Sequence, residues 1–334
     1  MAGNSGMVIS VAGYPFDRVK GLAIEGCDVQ GERSAVGDMN THVFEGPRTR
    51  QVTEIGLLPY LIACARGFRD YVLIPVFPLR TFRHKSIFIR TDRGIERPED
   101  LRGRRVGTPG YSSTSLVWIR GMLQHQYGVS PQEIEWVLSS EDSSASVAGV
   151  RSAEEQVVPE GVHVSYGTAG KDESELLVDG EVDALFHGVE PQAFVEGNPL
   201  VGRLFADSRE TERQYFADTG IFPVAHSVAV RADVISDAPW FPEAVFRGYM
   251  TAKERALGRL RAMGWAMISL PWLGQEEEDT RQLMGDDYWP YGVEQNRTTL
   301  EALLQYAFEQ GLLERELAVD EIFHPSTVGL TDTK

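Results

Sequence analysis

Apolar positions along this chain follow two rhythms that alternate. Short runs rich in β-branched and aromatic residues at 8–11, 71–77, 86–90, 104–107, 135–138 and 182–186 read as strands, and 222–230 reads as a longer apolar strand carrying His226. Between them the spacing becomes helical. Residues 56–66 form one such stretch with Pro59 in its first turn, and 113–127 places Leu116, Ile119, Leu123 and Tyr127 on one face. Shorter helices are expected at 172–178 and 208–216, and a helix starts at Pro98. The last third is mainly helical, with one face at Val245, Gly248, Ala252, Ala256 and Leu260. Another runs through Leu300, Leu303, Leu304 and Ala307, opened by Thr298-x-x-Glu301 and closed by Gly311. Strand and helix in alternation predict an α/β architecture with mostly parallel strands. The stretch 139–171, rich in Ser, Gly, Ala and Glu, shows no period and reads as a long, mobile connection with room for a short hairpin.

At 334 residues the chain is long for one core, and two lobes are expected: 1–90 with 230–334, and 91–229. A ligand cleft between them is the natural site. If the chain crosses near Ile89 and returns near Val230, residues 80–84, the turn at 112–115 and His226 meet there.

Charge then narrows the partners. The net charge of -17 argues against nucleic acid and anionic membranes, which need a basic surface. The first residues lack a basic segment ahead of a long apolar run, so a cytoplasmic location is expected, and no stretch approaches the ~18 apolar residues of a membrane span. Cys27 and Cys64 are isolated and carry no thiolate zinc spacing. Against this acidic background, residues 80–115 hold nine Lys and Arg against four acids and end in Tyr111-Ser-Ser-Thr-Ser115. Concentrated cations beside a hydroxyl-rich helix start form a local anion trap.

Individual roles follow from residue chemistry. Arg80 and Arg83 with Ser112, Ser113 and Thr114 are the expected carboxylate clamp, although Arg80 could equally bridge the lobes. His84 or His226 is the expected general acid, with a satisfied core histidine as the competing role for His226. Glu54, a carboxylate in apolar company before a helix, is the expected base. Tyr14 and Arg18 follow the first strand, where ligand-contacting loops sit, and His187 follows another strand end. His187-x-x-Glu190 offers two ligands for a divalent cation, and no third is fixed by spacing.

Several segments together resemble the 4,5-dihydroxyphthalate decarboxylase family. They are Phe77-Pro-Leu-Arg-Thr-Phe-Arg-His84, Pro98-Glu-Asp-Leu-Arg-Gly-Arg-Arg-Val-Gly107, the turn at 111–115, Thr219-Gly-Ile-Phe-Pro-Val-Ala-His226, Leu270-Pro-Trp-Leu273 and Tyr288-Trp-Pro-Tyr-Gly-Val-Glu-Gln-Asn-Arg297. The resemblance spans nearly the whole chain. It implies a two-lobe, type II periplasmic-binding-protein-like fold and a carboxy-lyase that converts 4,5-dihydroxyphthalate to protocatechuate and CO2 without an organic cofactor. It also implies a small aromatic dicarboxylate as partner, with self-association left open. The thiamine-precursor synthases of the same fold class use a Cys-rich motif, which two isolated cysteines do not supply. A cytoplasmic anion-binding protein of the same fold, without turnover, is the alternative.

Overall fold

The computed structural model describes residues 6–262 and 268–331. Its strands are β1 (Met7–Gly13), β2 (Cys27–Arg33), β3 (Val52–Gly56), β4 (Tyr71–Ile74), β5 (Ile87–Arg90), β6 (Arg105–Thr108), β7 (Glu135–Leu138), β8 (Val164–Tyr166), β9 (Ala184–Phe186), β10 (Val201–Arg203) and β11 (His226–Arg231). They divide between a five-stranded sheet, β2-β1-β3-β11-β4, and a six-stranded sheet, β10-β5-β9-β6-β7-β8.

The expectation of mostly parallel strands needs one correction. Among the strands described, each antiparallel pairing involves β5 or β11, the strands that receive the chain after it passes from one sheet to the other. Strands joined within one lobe, β1 to β2 and β3 and β6 to β7, run parallel, as crossover connections require. The chain therefore crosses between Ile74 and Ile87 and returns between Arg203 and His226. Boundaries at 90 and 230 fall a few residues late, because Ile87–Arg90 pairs in the six-stranded sheet and His226–Arg231 in the five-stranded one.

Helices α1 (Val36–Phe44), α2 (Leu57–Ala65) and α3 (Thr114–Tyr127) carry the site. Residues 57–64 of α2 are all buried, which explains an element apolar on every face. Helix α3 begins where Ser113 accepts a hydrogen bond from the Leu116 N–H at 3.3 Å.

The 139–171 stretch forms no hairpin. It holds a short helix Ala145–Ala148, a 3-10 turn Ala153–Gln156, and β8, which extends the sheet in parallel beyond β7. Side-chain hydrogen bonds help to fix it, alongside Val157, Val158, Val162 and Val164, which pack partly buried against the core. Ser112 Oγ donates to Glu154 O and accepts from Val157 N, both at 2.8 Å. Among the described residues no helix is long and apolar enough to cross a membrane.

Candidate active site

A cavity of about 410 Å³ takes its walls from both lobes. Tyr14, Gly56 and His226 line it from the five-stranded side; Arg83, Ser113, Thr114, Ser115, Asp142, Arg151 and His187 line it from elements of the other.

The first wall rests on adjacent strands. Glu54 on β3 and His226 on β11 lie diagonally across an antiparallel pair, since Glu54 faces Val228 and His226 faces Gly56. Their side chains meet at 2.6 Å, His226 Nδ1 to Glu54 Oε1, and both residues are buried. The second Glu54 oxygen accepts from the Tyr14 N–H at 3.1 Å. Glu54 is only 2% exposed and does not line the cavity, so it reaches a ligand only through His226. That revises its expected role as a base acting directly. The Tyr14 ring stacks on His226 with centroids 6.0 Å apart. Its hydroxyl accepts from Val36 N at 2.9 Å and donates to Val147 O at 3.0 Å, tying the start of α1 to the 139–171 stretch.

The second wall carries the positive charge. Arg83 is 6% exposed, and its guanidinium makes no hydrogen bond or ion pair with any described residue. Burial pulls it down to about 10, which leaves it charged at neutral pH. Its Nη1 and Ser115 Oγ both approach the point where a Gly188 Cβ would stand, at 3.2 and 3.7 Å. The bare backbone at Gly188 leaves this notch open. Thr114 and Ser115 begin α3, where backbone N–H groups have no intrahelical acceptor, so they face the cavity beside Arg83. Thr114 Oγ1 accepts from Leu58 N at 3.0 Å, which locks the start of α3 against α2.

Four expected ligand contacts lie elsewhere. Arg80 donates to Asn296 Oδ1 at 2.7 Å, Phe222 O at 2.7 Å and Pro290 O at 3.2 Å; it joins the second crossover to the C-terminal segment and is absent from the cavity wall. Arg18 donates to Pro78 O at 2.6 Å and lies over the Phe16 and Trp289 rings. Ser112 is the staple described above. His84 is 1% exposed and packs edge-on against Phe205 and Tyr215, each at 5.1 Å. Neither of its ring nitrogens has a hydrogen-bond partner among the described residues, and burial pushes its pKa down to about 4, so it is neutral at pH 7 and cannot serve as an acid on a ligand in this cavity.

The expected metal pair also separates. Glu190 is exposed and pairs with Arg203. His187 instead meets Asp142 and Glu173, with Nε2 3.5 and 3.6 Å from their oxygens, and the three offer ligand atoms within 4.8 Å of one another. Those carboxylates already have donors. Ser144 N and Oγ reach Asp142 at 2.8 and 2.7 Å, Ser143 and Ser139 hydroxyls reach Glu173, and Arg151 Nε stands 3.4 Å from Asp142. The adjacent guanidinium opposes a divalent cation there. Burial lowers the His187 pKa, but the Asp142 hydrogen bond and the Glu173 charge outweigh it and the net shift is upward. Asp142 is held down at about 2: burial opposes this, and His187 and Ser144 overcome it.

Sequence reasoning misses Asp142, Arg151 and Glu173. The signal that could find them is the density of hydroxyls around single charges, Ser-Ser-Glu-Asp-Ser-Ser at 139–144, which supports side-chain-to-backbone bonding rather than a mobile linker.

Comparison with known proteins closes the picture. A family model described as NMT1/THI5 like matches residues 79–151. The chain is 32% identical to a 4,5-dihydroxyphthalate decarboxylase of Comamonas testosteroni over 328 residues, 97% of this chain and 98% of that protein. A Pseudomonas putida protein of the same name is 33% identical over 168 residues, 49% of this chain and 62% of that protein. Among solved structures, a putative periplasmic sulfonate-binding protein of Methylobacillus flagellatus superposes with a TM-score of 0.57 at 13% identity, covering 97% of this chain and 93% of that one. The desulfurization enzyme DSZB does so with 0.54 at 16%, covering 96% and 97%. The fold is thus that of the periplasmic binding proteins, and by its full-length likeness to the Comamonas protein the chain belongs to the 4,5-dihydroxyphthalate decarboxylase family.

Proposed function

We propose that this protein is a carboxy-lyase that decarboxylates 4,5-dihydroxyphthalate to protocatechuate in the cavity shared by Arg83 and His226. The observation that carries the site is a buried guanidinium with no hydrogen bond or ion pair to any described residue, on the same cavity as an imidazole held by a buried carboxylate. An unpaired buried cation is costly unless a ligand anion answers it.

In the substrate each hydroxyl lies para to a carboxylate. Arg83 with the Thr114 and Ser115 N–H groups takes the carboxylate that stays. The phenol oxygen para to the departing carboxylate pushes electron density onto the carbon that bears it. His226 delivers a proton from Nε2 to that carbon, the C–C bond breaks, CO2 leaves, and the bonding pair returns to the ring. One proton is consumed for each CO2 released. Glu54 holds Nδ1 and so fixes the imidazole orientation, which makes it a positioning residue. These steps call on no organic cofactor.

Purified protein incubated with 4,5-dihydroxyphthalate should release CO2 and protocatechuate, with and without a chelator. Arg83→Leu should weaken binding of the substrate about tenfold to a hundredfold, the loss expected for charge-assisted hydrogen bonds. Saturable binding without CO2 would reassign the protein as an anion binder, and turnover abolished by the chelator would bring a cation at His187 into the reaction.

A further inference from the structure

We infer that Arg151 forms a second anion subsite on the same cavity, which receives the other carboxylate of the ligand and makes the site selective for aromatic dianions over monoanions. This rests on the proposed function for the identity of the ligand; the geometry stands by itself.

Arg151 lines the cavity and has 23% of its side chain exposed. Its Nε lies 3.4 Å from Asp142 Oδ2, and Nη1 and Nη2 make no hydrogen bond with any described residue. Asp142 is itself fixed by two bonds from Ser144. One edge of the guanidinium is therefore held, and the other is left for a ligand, which is how a fork recognises a carboxylate. The stretch that carries Arg151 is anchored too, through Tyr14 to Val147 O and through Ser112 to residues 154 and 157.

Gly110 supports the same assignment. A Cβ at that position would stand 2.5 Å from Arg151 Nη1, so the guanidinium occupies its place only because residue 110 has no side chain. The Gly110 backbone is not left-handed, so space rather than conformation demands the glycine. Arg83 carries the positive charge of the first subsite with no acid in ion-pair contact, whereas Arg151 shares its charge with Asp142. The two subsites thus differ in strength. The weaker grip falls on one carboxylate, as a site that must release CO2 requires, since tight ground-state binding of a leaving group slows its departure.

The test uses ligands that do not react. Phthalate and benzoate are titrated by calorimetry into the wild-type protein, Arg151→Gln, Gly110→Ala and Arg83→Gln. The wild type should bind phthalate at least tenfold more tightly than benzoate. Arg151→Gln should remove that preference, weakening phthalate about tenfold and leaving benzoate within twofold, while Arg83→Gln weakens both. Gly110→Ala should reproduce the Arg151→Gln pattern by displacing the guanidinium without removing it, which separates a subsite from a folding defect. Unchanged phthalate binding in Arg151→Gln and Gly110→Ala, or equal losses for both ligands, would overturn the inference. If the preference collapses as expected but no CO2 is ever released from 4,5-dihydroxyphthalate, the lyase reading fails and the subsite stands.

Discussion

The two walls of the cavity are built in different ways. On the five-stranded side, Glu54 and His226 sit on neighbouring strands whose ladder fixes their separation, and both are buried. On the other side, Arg83 precedes a single 3-10 turn, Ser113 to Ser115 open a helix, and Asp142 and Arg151 stand on a stretch held by serine side chains. Proton transfer tolerates little error in position, and paired strands supply that precision. Charge recognition acts over a longer range and is served by a helix start and a loop held in place by side-chain hydrogen bonds. Chemistry on the rigid, strand-built wall and recognition on the one stapled by side chains is the division the molecule teaches.

Substitutions on the rigid wall should break this division most severely. His226→Asn should leave binding within a fewfold of wild type and lower kcat by about 10² to 10⁴, the usual weight of a placed proton donor. Glu54→Gln should reduce kcat less and leave KM within a fewfold, because it loosens the orientation of the imidazole rather than removing a reacting atom. Normal turnover in His226→Asn would remove His226 from the chemistry, and a KM change without a kcat change would place it on the recognition wall.

Arg80 and Arg83 sharpen the comparison, because they are three residues apart and both buried. Arg80→Leu strands the acceptors on Asn296, Phe222 and Pro290 and should cost about 2 to 4 kcal/mol of stability in urea unfolding, with ligand affinity unchanged in the folded protein. Arg83→Leu removes a buried cation that makes no hydrogen bond or ion pair with any described residue, so its stability should hold or rise while affinity falls. The reverse pattern would exchange their roles.

Such pairs mark the limit of what the sequence makes legible. Helix α3 can be read to within one residue because Ser113 caps it and Gly128 ends it, signals confined to a few neighbours. Strand β2 cannot: it is an edge strand, Cys-Asp-Val-Gln-Gly-Glu-Arg, mostly exposed, with apolar alternation confined to Cys27 and Val29. Nothing local separates Arg80 from Arg83 or His84 from His226. What separates them is a partner far along the chain, Asn296 for Arg80 and Glu54 for His226, and tertiary partners leave no mark on periodicity. The 139–171 stretch is opaque for a related reason, since hydroxyl-to-backbone bonds order much of it and the valines it packs on the core follow no helical or strand period.

The smallest expected effect concerns the two histidines. His226 is paired, whereas His84 is enclosed by aromatic rings and unpaired, with a pKa of about 4. In the unfolded chain a histidine titrates near 6.5, so between about pH 4 and 6.5 the unfolded state binds the extra proton and folding is weakened. The His84 contribution is fully present above that window and is lost as pH falls, by about 2 kcal/mol between pH 7 and pH 5. His84→Phe keeps an aromatic ring in the same pocket and has no proton to take up. Urea unfolding should show the variant losing about 2 kcal/mol less than wild type over that range, with kcat unchanged at pH 7. Equal acid sensitivity in both proteins would mean that His84 is solvated or paired in the folded state; a large drop in kcat would return it to the active site.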